Sequence, residues 1–173
     1  MQSAIGSSSA LRPTGSCLSD WQPILGPASP PFTLLIESFR RLTGRDLLPA
    51  AAPTEAALWS APRVIVAHGT EADPIFFYGN RLALQLFEMS WETFTRLPSR
   101  FSAEAPDREQ RARLLARVAR DGYIDDYAGV RIAASGRRFR IESAVVWNLI
   151  DAAGICHGQA ATFEHWVMLD EPT

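Results

Sequence analysis

The chain has 173 residues, 47% of them hydrophobic, and a formal net charge of −2. That length reads as one domain with appendages, with enough apolar residues for a core that needs no staple. So small a net charge argues against a general nucleic-acid binder, and a basic set made entirely of Arg excludes Schiff-base lysine chemistry and a phosphate-loop lysine.

Two cysteines, Cys17 and Cys156, lie far apart, and their spacing matches no metal motif. Both are expected to be free thiols in a reducing, cytoplasmic compartment. No apolar run reaches the ~18 residues of a membrane span, and the first residues lack the basic-then-apolar pattern of a secretory signal.

In chain order, residues 1–30 are rich in Ser, Gly and Pro and are expected to form a flexible tail. Residues 31–62 read as an N-terminal helical extension. Pro31 suits a first helical turn. Phe32, Leu35, Ile36, Phe39 and Leu42 recur at helical spacing, Arg40 and Arg41 suit the last turns, and Gly44 supplies a left-handed stop. A shorter helix follows Thr54 and ends before Pro62.

The period then changes. "RVIVAH" and "PIFFYG" read as two strands joined by the turn "GTEAD". Asn80 caps the helix "RLALQLFE". Ser90 caps the next, with Met89 and Phe94 placed as a hydrophobic staple. Asp107 opens a longer helix through "REQRARLLARVARD", with Ala112, Leu115, Val118 and Ala119 as its core stripe and Gly122 as its stop. Three strand runs close the chain: "YIDDYAGVRIAA", "RFRIESAVVWNLI" and "CHGQAATFEHWVML". In the middle run Phe139, Ile141, Val145, Trp147 and Leu149 share one face and Arg138, Arg140 and Glu142 begin the other, which predicts one buried and one wet face at its start.

Two strands, short helices, a longer helix and three strands fit a five-stranded antiparallel sheet with helices across one face, an α+β arrangement. Such helices leave a gap above the sheet that a ligand can fill. The stretch "FYGNRLALQLFEMSWETF" resembles the strand-Asn-helix segment of PAS domains. With "HGTEADPIFFYGN", "LPSRFSAE", "DDYAGVRIAASGRRFRI" and "VWNLID", the chain is similar to the MEKHLA domain family, a PAS-like module. That module is found at the C-terminus of plant homeodomain–leucine zipper transcription factors and in small stand-alone bacterial proteins. The resemblance implies a PAS-like domain over residues 63–170, a sheet order of 2-1-5-4-3, and a sensory or interaction role without an established reaction. It also implies flanking helices used in assembly, hence a homodimer through the N-terminal helix.

The ligand-binding candidates are Phe77, Asn80, Trp91, Phe139 and Trp147, aromatics placed to surround a cavity and the Asn of the motif. No catalytic or metal-binding residue is assigned. His68, Glu71 and Asp73 are close enough to ligate an ion, yet a turn between strands is polar for ordinary reasons. His157 and His165 are too far apart in one strand to share an ion. Cys156 begins a strand and does not sit in the helical setting of flavin photosensors. No feature singles out a haem ligand, so no cofactor is named. Asp125 and Asp126 point to opposite faces of a strand, and Asp126 is expected to pair with Arg131 or Arg138. Arg137, Arg138 and Arg140 form either an anion patch or ordinary ion pairs.

The expected function is a small stand-alone sensory module. It binds a small molecule between helices and sheet and signals through a regulatory protein partner, with no nucleic acid and no membrane. Two alternatives stand beside it. One is an enzyme on a cone-shaped α+β fold using a His-Asp pair. The other is a dimerisation module with a fully packed interior.

Overall fold

The computed structural model describes residues 30–49, 53–103 and 108–169. The expected tail, Cys17 and the expected cap Asp107 lie outside them. Helix α1 spans Pro30–Thr43, and Gly44 ends it with a φ of 69°, its N–H donating to the Arg40 carbonyl at 2.9 Å. Helix α2 spans Glu55–Trp59, capped by Thr54, whose hydroxyl accepts from the Ala57 N–H.

Strands β1 (Val64–His68) and β2 (Phe76–Gly79) follow. Helices α3 (Arg81–Phe87) and α4 (Trp91–Phe94) carry the expected caps, Asn80 and Ser90. Glu88 ends α3 in the left-handed region, φ 57°. Phe94 of the staple is fully buried, stacked on Phe76 at 4.5 Å, and Met89 packs against the same core. A 3-10 turn covers Ser99–Ser102, and helix α5 spans Arg108–Asp121. The α5 stripe differs from expectation. Val118 is fully buried and Leu114 and Leu115 are half-buried, whereas Ala112 and Ala119 are exposed. The helix is rotated so that Leu114, Leu115 and Val118 face the sheet.

Strands β3 (Tyr123–Ile132), β4 (Arg138–Ile150), β5 (Cys156–Phe163) and β6 (His165–Leu169) complete the chain. The sheet is antiparallel in the order β2-β1-β5-β4-β3, with β6 also paired to β4. The order is the expected 2-1-5-4-3, but the sheet has six strands, not five. The last run is broken at Glu164 into β5 and β6. Both halves keep one register along β4, from Arg138–Leu169 through Glu142–His165 to Val145–Thr162 and Asn148–Gln159. The break faces Ser143, whose φ of 53° kinks β4 at its midpoint, so that Phe139 and Ile141 lie on the opposite side of the sheet from Val145, Trp147 and Leu149 rather than on the one shared face expected. Beyond the kink β1 pairs β5, starting at Val64–Phe163, so β1 does not extend alongside β6.

Helices cover both faces of the sheet. On the inner face, α3, α4 and α5 pack over Val64, Val66, Ile141, Val146 and Phe163. On the outer face, α1 and α2 pack over Ile65, Ala67, Phe77, Trp147 and Leu149. This two-sided cover explains why β1 and β2 are buried at every residue, and why β4 alternates at its start but is continuously buried from Val146 to Leu149. The apolar face of α1 therefore docks on its own sheet. Leu35 is 0% and Phe39 2% exposed, Phe39 meets Trp147 edge-on at 4.9 Å, and the Trp147 indole N–H donates to the Ser38 hydroxyl at 2.9 Å.

Candidate functional site

A cavity of about 60 Å³ lies between the inner face of the sheet and α3, α5 and the 3-10 turn. One water needs roughly 10–15 Å³ on this scale, so the space has room for a few waters or one small molecule. Alternation along the strands puts the lining there: Tyr127 and Arg131 from β3, Ile141 and Val146 from β4, Gln159 and Ala161 from β5, Val66 and His68 from β1. Phe87 of α3, Leu114 and Leu115 of α5, and Ser102 close it from above.

Most of this lining is apolar, and its polar members are buried. The Gln159 amide donates to the Leu115 carbonyl at 3.1 Å and to Asn148 Oδ1 at 3.0 Å; Asn148 in turn donates to the Val118 carbonyl at 2.9 Å. The pair fastens α5 to the sheet. His68 Nδ1 lies 2.9 Å from the Gly69 carbonyl, which places a proton on that nitrogen. Gly158, at φ 140°, passes so close to the His68 carbonyl that no Cβ fits there. Arg131 is 8% exposed; it donates to the Val130 carbonyl at 2.9 Å and to the Tyr127 hydroxyl. A Cβ at Gly129, between them on the same face, would collide with the Tyr127 phenol.

The five residues singled out from sequence do not converge. Phe77 and Trp147 belong to the outer core under α1. Trp91 is half-buried beside Trp59 and Tyr78, with ring centroids 6.0 Å from each. Burial there pushes the Tyr78 phenol above its usual range. Phe139 shares the inner core, edge-on to Phe87 at 5.2 Å, but does not line the cavity. Asn80 is fully buried and bonded on both sides of its amide. Its Oδ1 accepts from the Ile65 and Ala83 N–H groups at 3.1 Å each, and its Nδ2 donates to the Arg63 carbonyl at 2.8 Å. One side chain thus joins α2's exit, β1 and α3.

The cavity's polar residues carry a weaker sequence signal. Tyr127 and Arg131 lie on one strand face with a glycine between, and Gln159, like its bonding partner Asn148 outside the lining, interrupts an apolar run. A polar residue inside a buried strand is the mark that could have found them.

The remaining polar groups hold local structure. Glu71 accepts from the Ile75 N–H at 3.4 Å, and Asp73 binds Arg100 at 2.9 Å. Among the described residues no three His, Cys, Asp or Glu are grouped to hold an ion. Asp125 and Asp126 do diverge, toward Arg45 at 3.5 Å and Arg117 at 3.7 Å; Asp126 pairs with α5 rather than with Arg131 or Arg138, because α5 crosses beside the β3 bulge. Arg137 pairs with Glu88 at 3.0 Å and Arg140 with Glu142 at 2.9 Å. Bonds from Ser135 and then Arg137 hold the Glu88 carboxyl below its usual range. A His-Asp pair exists, His157 Nε2 to Asp151 Oδ2 at 2.8 Å, but it sits on the β4–β5 hairpin outside the cavity. Cys156 is exposed beside it.

The family model described as the MEKHLA domain matches residues 31–168. Homeobox-leucine zipper protein HOX29 of Oryza sativa subsp. indica is 24% identical over 174 residues, covering 94% of this chain and 20% of its own length. Homeobox-leucine zipper protein HOX9 of the same subspecies is 25% identical over 166 residues, covering 92% and 20%. The chain thus spans about one fifth of these curated relatives. Among solved structures, the light-state dimer of the fungal blue-light photoreceptor Vivid superposes with a TM-score of 0.58 at 13% identity, covering 82% of this chain and 98% of that one. The PAS domain of a Colwellia psychrerythraea protein gives a TM-score of 0.54 at 16% identity, covering 62% and 88%. Likenesses this distant establish the fold.

Proposed function

Because the chain belongs to the MEKHLA domain family, whose fold here is that of PAS sensory domains, we propose that it is a regulatory module without an enzymatic reaction, which binds a small molecule in the cavity under α5 and passes the signal to a protein partner. The observation that carries this reading is the cavity itself. It is lined by apolar side chains with a few buried polar groups, which is the usual make-up of a small-molecule site. Ligand and signal are linked through α5. Asn148 and Gln159 tie α5 backbone carbonyls to the sheet, and Leu114 and Leu115 form the roof, so a ligand that lifts the roof strains those bonds.

A homodimer through the N-terminal helix is a second part of the proposal, favoured by the likeness to the Vivid dimer. Leu35 and Phe39 are taken up by the chain's own sheet, so Phe32, Leu34 and Ile36, which stay half-buried, would form its surface. We place the module in the cytoplasm, where the exposed Cys156 stays a thiol. No helix among the described residues is long and apolar enough to cross a membrane.

Native mass spectrometry of freshly purified protein reads ligand and subunit count together. A small-molecule mass that departs on denaturation supports the sensor reading. A bare chain whose melting temperature no metabolite in a panel shifts overturns it. A single-chain mass at micromolar concentration removes the dimer.

A further inference from the structure

Among the described residues, Arg131 is the charged group in the cavity that has no counter-charge. It is buried to 8% exposure in a mostly apolar chamber. Of its five N–H donors, one meets the Val130 carbonyl and one the Tyr127 hydroxyl, both neutral acceptors. Among the described residues no carboxylate lies within ion-pair distance of it. Arg137 and Arg140 on the same hairpin are exposed, and each has its Glu. A guanidinium taken out of water is normally paired, because desolvating a charge without a counter-charge is costly. The Tyr127 ring, 5.1 Å from the Arg131 carbon, gives partial compensation only.

The approach to Arg131 is built rather than accidental. Tyr127, Gly129 and Arg131 alternate onto one face of β3, and the missing side chain at 129 lets the phenol lie down and hold the guanidinium. The Gln159 amide has both N–H donors committed to Leu115 and Asn148, so at this cavity Arg131 rather than Gln159 is the donor for an anion.

We propose that the cavity ligand is a small apolar carboxylic acid, bound as the anion, with its carboxylate on Arg131 and its hydrocarbon body against Phe87, Val146 and Phe163. This rests on the small-molecule reading above and names the ligand's class. A planar carboxylate matches the guanidinium fork, and a cavity of about 60 Å³ suits an acid with a short chain or a single ring.

The test compares acids with the matching alcohols by calorimetry on the full chain: benzoate against benzyl alcohol, hexanoate against hexanol. Each acid is expected to bind ~10–100-fold tighter than its alcohol, the usual worth of a desolvated charge-assisted pair. Arg131→Met is expected to abolish that preference, bringing each acid's affinity down to that of its alcohol. Arg131→Lys keeps the charge without the fork and is expected to retain part of it. Acids and alcohols of equal affinity, or acids bound as tightly by Arg131→Met, overturn the carboxylate assignment and leave the small-molecule reading intact. No binding by any of the four probes also overturns the assignment, and the native mass spectrum then judges the small-molecule reading independently. The wild-type comparison needs no variant, so a misfolded Arg131→Met does not shield the proposal.

Discussion

The two faces of the sheet are built from the same strands, yet they are packed to different ends. The outer face is closed by aromatics. Phe39 meets Trp147, Trp91 stands beside Tyr78 and Trp59, and the Trp147 N–H is satisfied by Ser38. The inner face has aromatics too, in the Phe76–Phe94 and Phe87–Phe139 contacts, but between them it keeps a cavity with Arg131, Gln159 and His68 in its wall. Bulk therefore does not mark the candidate site in this fold. Among the described residues a buried guanidinium bonded only to neutral acceptors marks it, because packing explains a buried ring and does not explain a charge without a counter-charge.

If the outer face is a stability element and the inner face a binding element, substitutions on the two should separate. Trp147→Ala should have the largest effect, about 3–5 kcal/mol of unfolding free energy by urea denaturation, with no specific loss of ligand at temperatures where the variant is folded. A selective loss of ligand affinity would break the division. Asn80→Ala should cost about 2–3 kcal/mol, since it removes a helix cap and leaves the Ile65 N–H and Arg63 carbonyl short of a buried partner. A cost near zero would mean those groups find water. Ser38→Ala should cost about 1–2 kcal/mol by orphaning the Trp147 indole N–H, and it should red-shift tryptophan emission if water replaces the hydroxyl.

The smallest expected effect lies at the hairpin outside both faces. His157 first, and then the N–H groups of Ile155 and Ala153, hold the Asp151 carboxyl below its usual range. A depressed carboxyl contributes stability that is fully present above its unfolded value, ~3.9, and is lost as pH falls through its lower folded value. Asp151→Asn should therefore flatten the dependence of melting temperature on pH below about 4 and leave the curve near neutral pH unchanged in shape. An identical acid limb in both proteins would show that the pair contributes nothing to acid stability.

Local chemistry was legible from the residues alone. Asn80 and Ser90 cap their helices because a short polar side chain before an apolar helical run has one best use. The alternation at the start of β4 announced a wet face, and the resemblance supplied the strand order. The break at Glu164 was not legible. "CHGQAATFEHWVML" carries no turn residue there, and the kink arises where Ser143 on the neighbouring strand takes a positive φ. Nor was the α5 face, since Leu114 and Ala112 each fit a helical stripe until the sheet selects a rotation.

What the sequence by itself determined is which segments are helix and strand, where the caps lie, and which residues must leave water, because those follow from periodicity and from the chemistry of neighbours in the chain. What only the tertiary structure decided is which side of the sheet each buried residue serves. Period-2 alternation separates Val146 from Trp147 but does not say which of them faces a cavity. That depends on where α1 and α5 come to rest: α1 settles tightly onto Trp147 through Leu35 and Phe39, while α5, tied to the sheet through the Asn148–Gln159 pair, leaves room above Arg131.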